Sequence, residues 1–264
     1  MDEGTSSSQQ GAIPPTGMTV VFIPSGQAEL EWVPYHLTPS NLLLTRKLSR
    51  EKESADNSSI FWPQSLLPFA VPSARVLTYG YDTHIQHRTG PPVSTHTIYD
   101  IACDFLIALE AERREEPLRP VLFIAHSLGG IVLKEMLRRS HDCYSTQSHL
   151  YGVFESTIGM IFFGTPHAGA DPRGLVLSIA EKAIRAAGYT INEHVINALL
   201  PSSERLKEMR DVFGPMAQER NWIIHSFQEQ YRAQGLLGKK VVEDSSSCLN
   251  IPSIETTEHI SCNH

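Results

Sequence analysis

The stretch that most constrains this chain is Pro120-Val121-Leu122-Phe123-Ile124-Ala125-His126-Ser127-Leu128-Gly129-Gly130-Ile131-Val132-Leu133-Lys134. An apolar run from Val121 to Ile124 stops abruptly at His-Ser, and a helix-period pattern follows Leu-Gly-Gly. A serine at such a junction is thrust out of a sharp strand-to-helix turn, a nucleophile elbow. The turn needs small residues two places either side of the serine. Gly129 meets that need on the far side, and Ala125 stands where glycine is commoner. The following helix aims its positive N-terminus at the serine oxygen, which suits an oxyanion or a developing alkoxide.

A chain of 264 residues is long enough for one α/β domain with a substantial core. Its formal net charge of −7, with no basic stretch interleaved with aromatics, argues against nucleic acid as a partner. Cys103, Cys143, Cys248 and Cys262 are scattered without a CxxC pair, which predicts reduced thiols and no metal site. No window reaches the ~18 apolar residues of a membrane span. The acidic, polar start Met1-Asp2-Glu3-Gly4-Thr5 is no secretory signal. These features predict a soluble intracellular protein. Gly129-Gly130 lacks the GxxxxGK[ST] context of a phosphate loop, so no nucleotide or other cofactor is expected.

Taken in order, residues 1–17 are Ser-, Gln-, Gly- and Pro-rich and predict a loose tail ahead of a single domain over 18–264. Met18 to Ile23 reads as a first buried strand, ending in Pro24-Ser25-Gly26-Gln27. Residues 38–59 read as a charged surface insertion. Phe61 to Leu67 predicts a short helix with proline in its first turn. Ala74 to Tyr81 predicts a strand. The loop after it carries His84, His87 and His96, whose spacing puts no two on one helix face and so favours a plain loop over a metal site. Thr97 to Glu116 is an amphipathic helix pattern, and Pro117 and Pro120 stop it before the elbow strand. Further on, Ile158 to Phe163 reads as a strand, and 174–220 as helices capping the site. Trp222 to Phe227 and Lys239 to Val242 read as the last two strands. Alternation of this kind calls for a mainly parallel sheet covered by helices on both faces.

A serine hydroxyl becomes a nucleophile only when a base takes its proton and a carboxylate holds that base. On an elbow fold the chain order is serine, acid, histidine. Asp244, just past the Lys240-Val241-Val242 run, is the preferred acid, with Glu243 in reserve. His259 and His264 both lie downstream, and either satisfies the order. His126 is read as shaping the pocket rather than as the base, because neighbours at a strand end point opposite ways. His167 is a second pocket candidate, packed below the site.

Four motifs then occur together in one order: Phe61-Trp62-Pro63 with Leu66-Leu67, Leu77-Thr78-Tyr79-Gly80-Tyr81-Asp82, Ala125-His126-Ser127-Leu128-Gly129-Gly130, and Phe162-Phe163-Gly164-Thr165-Pro166-His167. The set resembles the SERAC-type lipase-like serine esterases across roughly residues 18–264. The resemblance implies an α/β-hydrolase fold, hydrolysis of lipid or other acyl esters, and, for some members, peripheral contact with mitochondrial or endoplasmic-reticulum membranes. It implies Ser127 as nucleophile, the Leu128 N–H as an oxyanion donor, and Asp244-Ser245 as the acid position. It favours Asn263-His264 over Glu258-His259 for the base. In such enzymes the first strand runs into His-Gly, which gives the second oxyanion N–H. Here that turn reads Pro24-Ser25-Gly26-Gln27, and proline has no N–H, so Ser25, Gly26 or Gln27 is the expected donor. Two alternatives stand beside the esterase: a hydrolase scaffold used only for binding a partner or lipid, and a tailoring esterase or thioesterase of secondary metabolism.

Overall fold

The computed structural model describes residues 17–37, 61–81, 86–87, 97–169, 189–190, 203–231, 240 and 242–261. In chain order the elements are β1 (Gly17–Phe22), β2 (Leu30–Leu37), α1 (Trp62–Ser65), α2 (Leu67–Ala70), β3 (Ala74–Tyr81), β4 (Gln86–His87) and α3 (Ile98–Arg113). They continue with β5 (Val121–His126), α4 (Leu128–Asp142), α5 (Ser148–Ser156), β6 (Thr157–Phe163) and β7 (Tyr189–Thr190). The last are α6 (Glu204–Glu219), β8 (Ile223–Glu229) and β9 (Glu255–Ile260). Short local devices set several of these bounds. Thr97 and Asp100 form a reciprocal capping box that starts α3, and the Ser203 side chain accepts from Leu206 N–H at the start of α6.

Seven strands form one sheet in the order β1-β3-β2-β5-β6-β8-β9, all parallel except the edge strand β1, which runs antiparallel to β3. α3, α4, α5 and α6 form a helical layer against it. Phe105, Leu109, Ile131, Met136, Val153 and Phe213 join Phe123, Met160 and Phe162 from the strands in one core. A chain of rings ties three elements together: Phe154 of α5 meets Trp222 at 5.2 Å between centroids, and Trp222 meets Phe213 of α6 at 5.8 Å. A strand in a parallel sheet with long crossovers must be apolar on both faces, which is why β5 read so plainly from the sequence.

Four expectations are corrected. β1 is a half-buried antiparallel edge, not a buried strand of the parallel set. β2, which the sequence did not announce, takes the central place between β3 and β5. Its apolar run is broken by Glu31, Pro34 and His36, and only the fold makes Glu31 acceptable there. That carboxylate is fully buried where β2, β3 and β5 begin, and it meets Arg75 at 3.2 Å, Arg119 at 3.0 Å and Arg113. At the other edge, Lys240 and Val242 belong to no strand, and the last strand is β9, Glu-Thr-Thr-Glu-His-Ile, polar because it is an edge. Finally, residues 204–219 are a core helix packed on α4 rather than part of a cap; apart from the short strand β7, the expected cap residues before 203 lie outside the described residues, as do the 1–16 part of the tail, the 38–59 insertion, His84 and His96.

Candidate active site

Ser127 sits between β5 and α4 with φ +53° and ψ −127°, a backbone conformation that a side chain-bearing residue adopts only under constraint. The constraint is visible on both sides. Ser127 N–H donates to Phe163 C=O at 2.9 Å, pinning the turn to β6, and Gly130 N–H donates to Ser127 C=O at 3.1 Å, starting the helix. Ala125 and Gly129 are both buried, so the small residues flank the serine as the elbow pattern requires. Leu128 is the first residue of the 15-residue α4, and its N–H lacks an acceptor within the helix by position alone. The Ser127 residue is 2% exposed.

Gly130 carries a second requirement. A Cβ there would overlap the Oγ1, Cγ2 and Cβ atoms of the fully buried Thr165, the residue that follows Gly164 on the next loop. Gly130→Ala is therefore expected to destabilise the protein by about 1–3 kcal/mol through overpacking. Urea unfolding measures this, and an unchanged midpoint would show that the loop yields freely.

The remaining expected site residues divide sharply. The Ser25–Gln27 turn does not reach Ser127. Phe22 pairs with Val76 and Leu30 with Ala74, while Glu29 N–H bonds Ser73 C=O, so the turn lies where the parallel strands begin. Ser127 lies where they end, six residues up β5, about 20 Å away at ~3.3 Å per residue. The two stretches stand at opposite ends of the sheet because β1 runs antiparallel to β3, so its end lies beside the start of the parallel strands. The strand whose end comes up beside β5 is β2, through Tyr35↔Ala125, and the chain leaves it at Leu37.

Asp244 lies on a loop between β8 and β9, half-exposed, with Lys240 Nζ at 2.6 Å and His259 Nε2 at 3.6 Å from its oxygens. Glu243 is exposed, and its carbonyl accepts from Ser246 and Ser247 N–H. His259 stands on the edge strand β9, paired with Gln228. Counting along the register, it is three strands from Ser127, about 14 Å between backbones at ~4.8 Å per strand, too far for an imidazole to bridge. The structure thus brings Asp244 and His259 together but not to the serine. His264 lies outside the described residues. His126 ends β5 beside the serine and is buried, while His167 is corrected as a pocket residue. It is fully buried, with Nδ1 3.1 Å from Lys134 Nζ and its ring edge-on to Phe162.

No protein-family model matches the chain. It is similar to Protein SERAC1 of Homo sapiens, 27% identical over 183 residues, which is 69% of this chain and 26% of the relative. Protein SERAC1 of Danio rerio is 26% identical over 64% of this chain and 24% of its own. The chain therefore spans about a quarter of the length of the curated relatives it matches. Among solved structures, the lipase BlEst2 of Bacillus licheniformis in mature form superposes with a TM-score of 0.58 at 12% identity, over 94% of this chain and 91% of that one. The fold is that of an α/β-hydrolase.

Within the α/β-hydrolase sheet, the carboxyl end of β8 holds a residue that the sequence reading passed over. Glu229 is the last residue of β8 and is 4% exposed. Gln228 shares a row with Gly164 and Ser127, so Glu229 stands two strands from the serine, about 10 Å between backbones. That gap is of the size one imidazole would span once the serine and glutamate side chains are subtracted. The signal was present as a carboxylate two residues past the strand pattern Trp222 to Phe227. Reading Lys239 to Val242 as a strand directs attention to Asp244 on the loop that follows instead. The described residues contain no group of three or more His, Cys, Asp or Glu able to hold a metal ion. No helix among them is long and apolar enough to cross a membrane.

Proposed function

We propose that this α/β-hydrolase cleaves carboxylic esters, of lipids or other acyl compounds, through an acyl-enzyme on Ser127. One observation carries the reading: a serine at φ +53° between a central parallel strand and the N-terminus of a 15-residue helix. In the proposed reaction the Ser127 Oγ attacks the ester carbonyl carbon while a histidine takes its proton. The carbonyl oxygen becomes an oxyanion held by the Leu128 N–H. Collapse of the tetrahedral species expels the alcohol, which receives the proton back from the histidine. Water then attacks the acyl-enzyme by the same route in reverse.

His264 is the proposed base. The chain leaves β9 at Ile260, whose carbonyl accepts from Gln230 N–H at 3.0 Å, next to Glu229. Glu229 is the proposed acid in place of Asp244, since it is buried at the end of the penultimate strand whereas Asp244 is half-exposed and engaged by Lys240. Glu229→Gln is expected to lower turnover of a chromogenic carboxylic ester by about 10⁴-fold, by analogy with an amide replacing a triad carboxylate. Asp244→Asn is expected to change it by less than tenfold. The reverse order of effects would return the acid role to Asp244.

A second reading, a hydrolase scaffold that binds without turnover, is favoured by the 2% exposure of Ser127. A fluorophosphonate probe separates the two. Labelling that disappears in Ser127→Ala supports the hydrolase, and well-folded protein that takes no label supports the scaffold.

A further inference from the structure

Two titratable groups that have no part in the proposed chemistry are sealed together beneath it. Lys134 lies seven residues, two helical turns, beyond Ser127 on α4 and is 0% exposed, with its Nζ 3.1 Å from Nδ1 of the equally buried His167. From α6, the Phe213 ring stands 5.8 Å from Nζ. Also from α6, Arg210 repels a charge on the amine, and from β9 Glu255 attracts one. Burial and then Arg210, opposed by Glu255, bring the Lys134 amine from its ordinary 10.5 down to about 7. Burial and then Lys134 push the His167 imidazole well below its ordinary range.

The backbone around His167 joins two halves of the site. His167 N–H donates to Ser246 C=O at 2.7 Å, Ala168 N–H donates to the Ser246 hydroxyl at 3.2 Å, and that hydroxyl donates to Gly169 C=O. The Ser246 turn in its turn hangs from β8, where Gln228 Nε2 donates to Asp244 C=O at 2.7 Å and to Ser247 Oγ at 2.9 Å. The 164–169 loop is thus tied to the nucleophile helix by the Lys134–His167 contact and to the strand bearing Glu229 by Ser246.

We propose that Lys134 and His167 are positioning residues that lock the 164–169 loop between the nucleophile helix and the Ser246 turn, and that opening of this lock takes up a proton. Its value to catalysis rests on the serine-hydrolase reading; its existence does not. The sign follows from the two states. With the loop closed, Lys134 is neutral above about pH 7; once opened to water it stays protonated up to its ordinary 10.5. Between those limits the open state binds one more proton, so each unit of rising pH disfavours opening by up to about tenfold. Below pH 7 the closed lysine is also protonated, and the slope flattens until His167 begins to take up its own proton.

Hydrogen exchange of the 164–169 amides, corrected for intrinsic rates, reads this directly between pH 7 and 9. In the wild-type chain the protection of His167 and Ala168 is expected to rise by up to about tenfold per pH unit. In Lys134→Met it is expected to be flat. A flat wild-type profile, or the same slope in Lys134→Met, overturns the lock, and the wild-type slope decides alone if the variant does not fold. For the positioning role, Lys134→Met is expected to take a fluorophosphonate on Ser127 at least about tenfold more slowly at pH 8, the magnitude expected when a catalytic group is displaced slightly. An equal rate overturns that role. Wild-type protein that shows the exchange slope but no labelling defeats the hydrolase reading and leaves the lock standing.

Discussion

Replacing Ser127 by alanine is expected to abolish fluorophosphonate labelling and to lower kcat on a chromogenic carboxylic ester by about 10⁶-fold, the loss seen when a triad nucleophile is removed. The residual rate, about 10³–10⁴ over water, comes from the oxyanion donors and binding alone. Folding is expected to survive, because alanine keeps the same backbone and removes only an oxygen. Ser127→Gly separates function from strain. The pair φ +53°, ψ −127° suits glycine, so relief of about 1–3 kcal/mol of strain outweighs the ~0.5–1 kcal/mol of extra chain freedom lost on folding. The glycine variant is therefore expected to be inactive yet about 1 kcal/mol more stable than wild type. A glycine variant less stable than the alanine one would show that the elbow is not strained, and ester turnover persisting in both would remove Ser127 from the chemistry.

The largest effect on stability is expected far from the serine. Glu31 is one carboxylate meeting three guanidinium groups, Arg75, Arg113 and Arg119, at the edge where β2, β3 and β5 begin. Arg75 and Arg119 have outer partners in Glu112 and Glu116, while Arg113, itself buried, turns its other nitrogen to Pro117 C=O, Arg119 C=O and Ser156 Oγ. Glu31→Gln keeps the shape and removes the charge, leaving buried cations facing one another. The expected loss is about 3–5 kcal/mol, as when one partner of a buried pair is removed. Urea unfolding with an unchanged m-value measures it. A loss under ~1 kcal/mol would mean that water reaches the guanidinium groups and the cluster contributes little. The labelling rate of Ser127 at 25 °C is expected to stay within twofold of wild type, since about 20 Å of strand separates the two sites.

The sequence by itself determined the elbow, the parallel strands β3, β5, β6 and β8, and the helices α3 and α4. In each of these, local pattern and burial agree. Val121 to Ile124 is apolar on both faces because the strand is central, and Thr97 with Asp100 writes the start of α3 in four residues. Where a residue's environment is supplied by distant segments, the pattern was silent or misleading. Glu31 breaks an apolar run, and its place in a central strand is acceptable only because three arginines from 44 to 88 residues away surround it. Glu255 to Ile260 carries no apolar strand pattern, and its backbone becomes a strand by pairing with β8, for an edge strand needs ladder partners rather than an apolar face. With β9 unseen, the sequence places its expected acid at Asp244 and gives no weight to the buried Glu229, and with β2 unseen it places the expected oxyanion turn at Ser25–Gln27, which lies where the parallel strands begin. The elbow was legible because it is a local strain written in adjacent small residues. Its partners were not, because strand order and direction, fixed only by tertiary pairing, decide which loops meet.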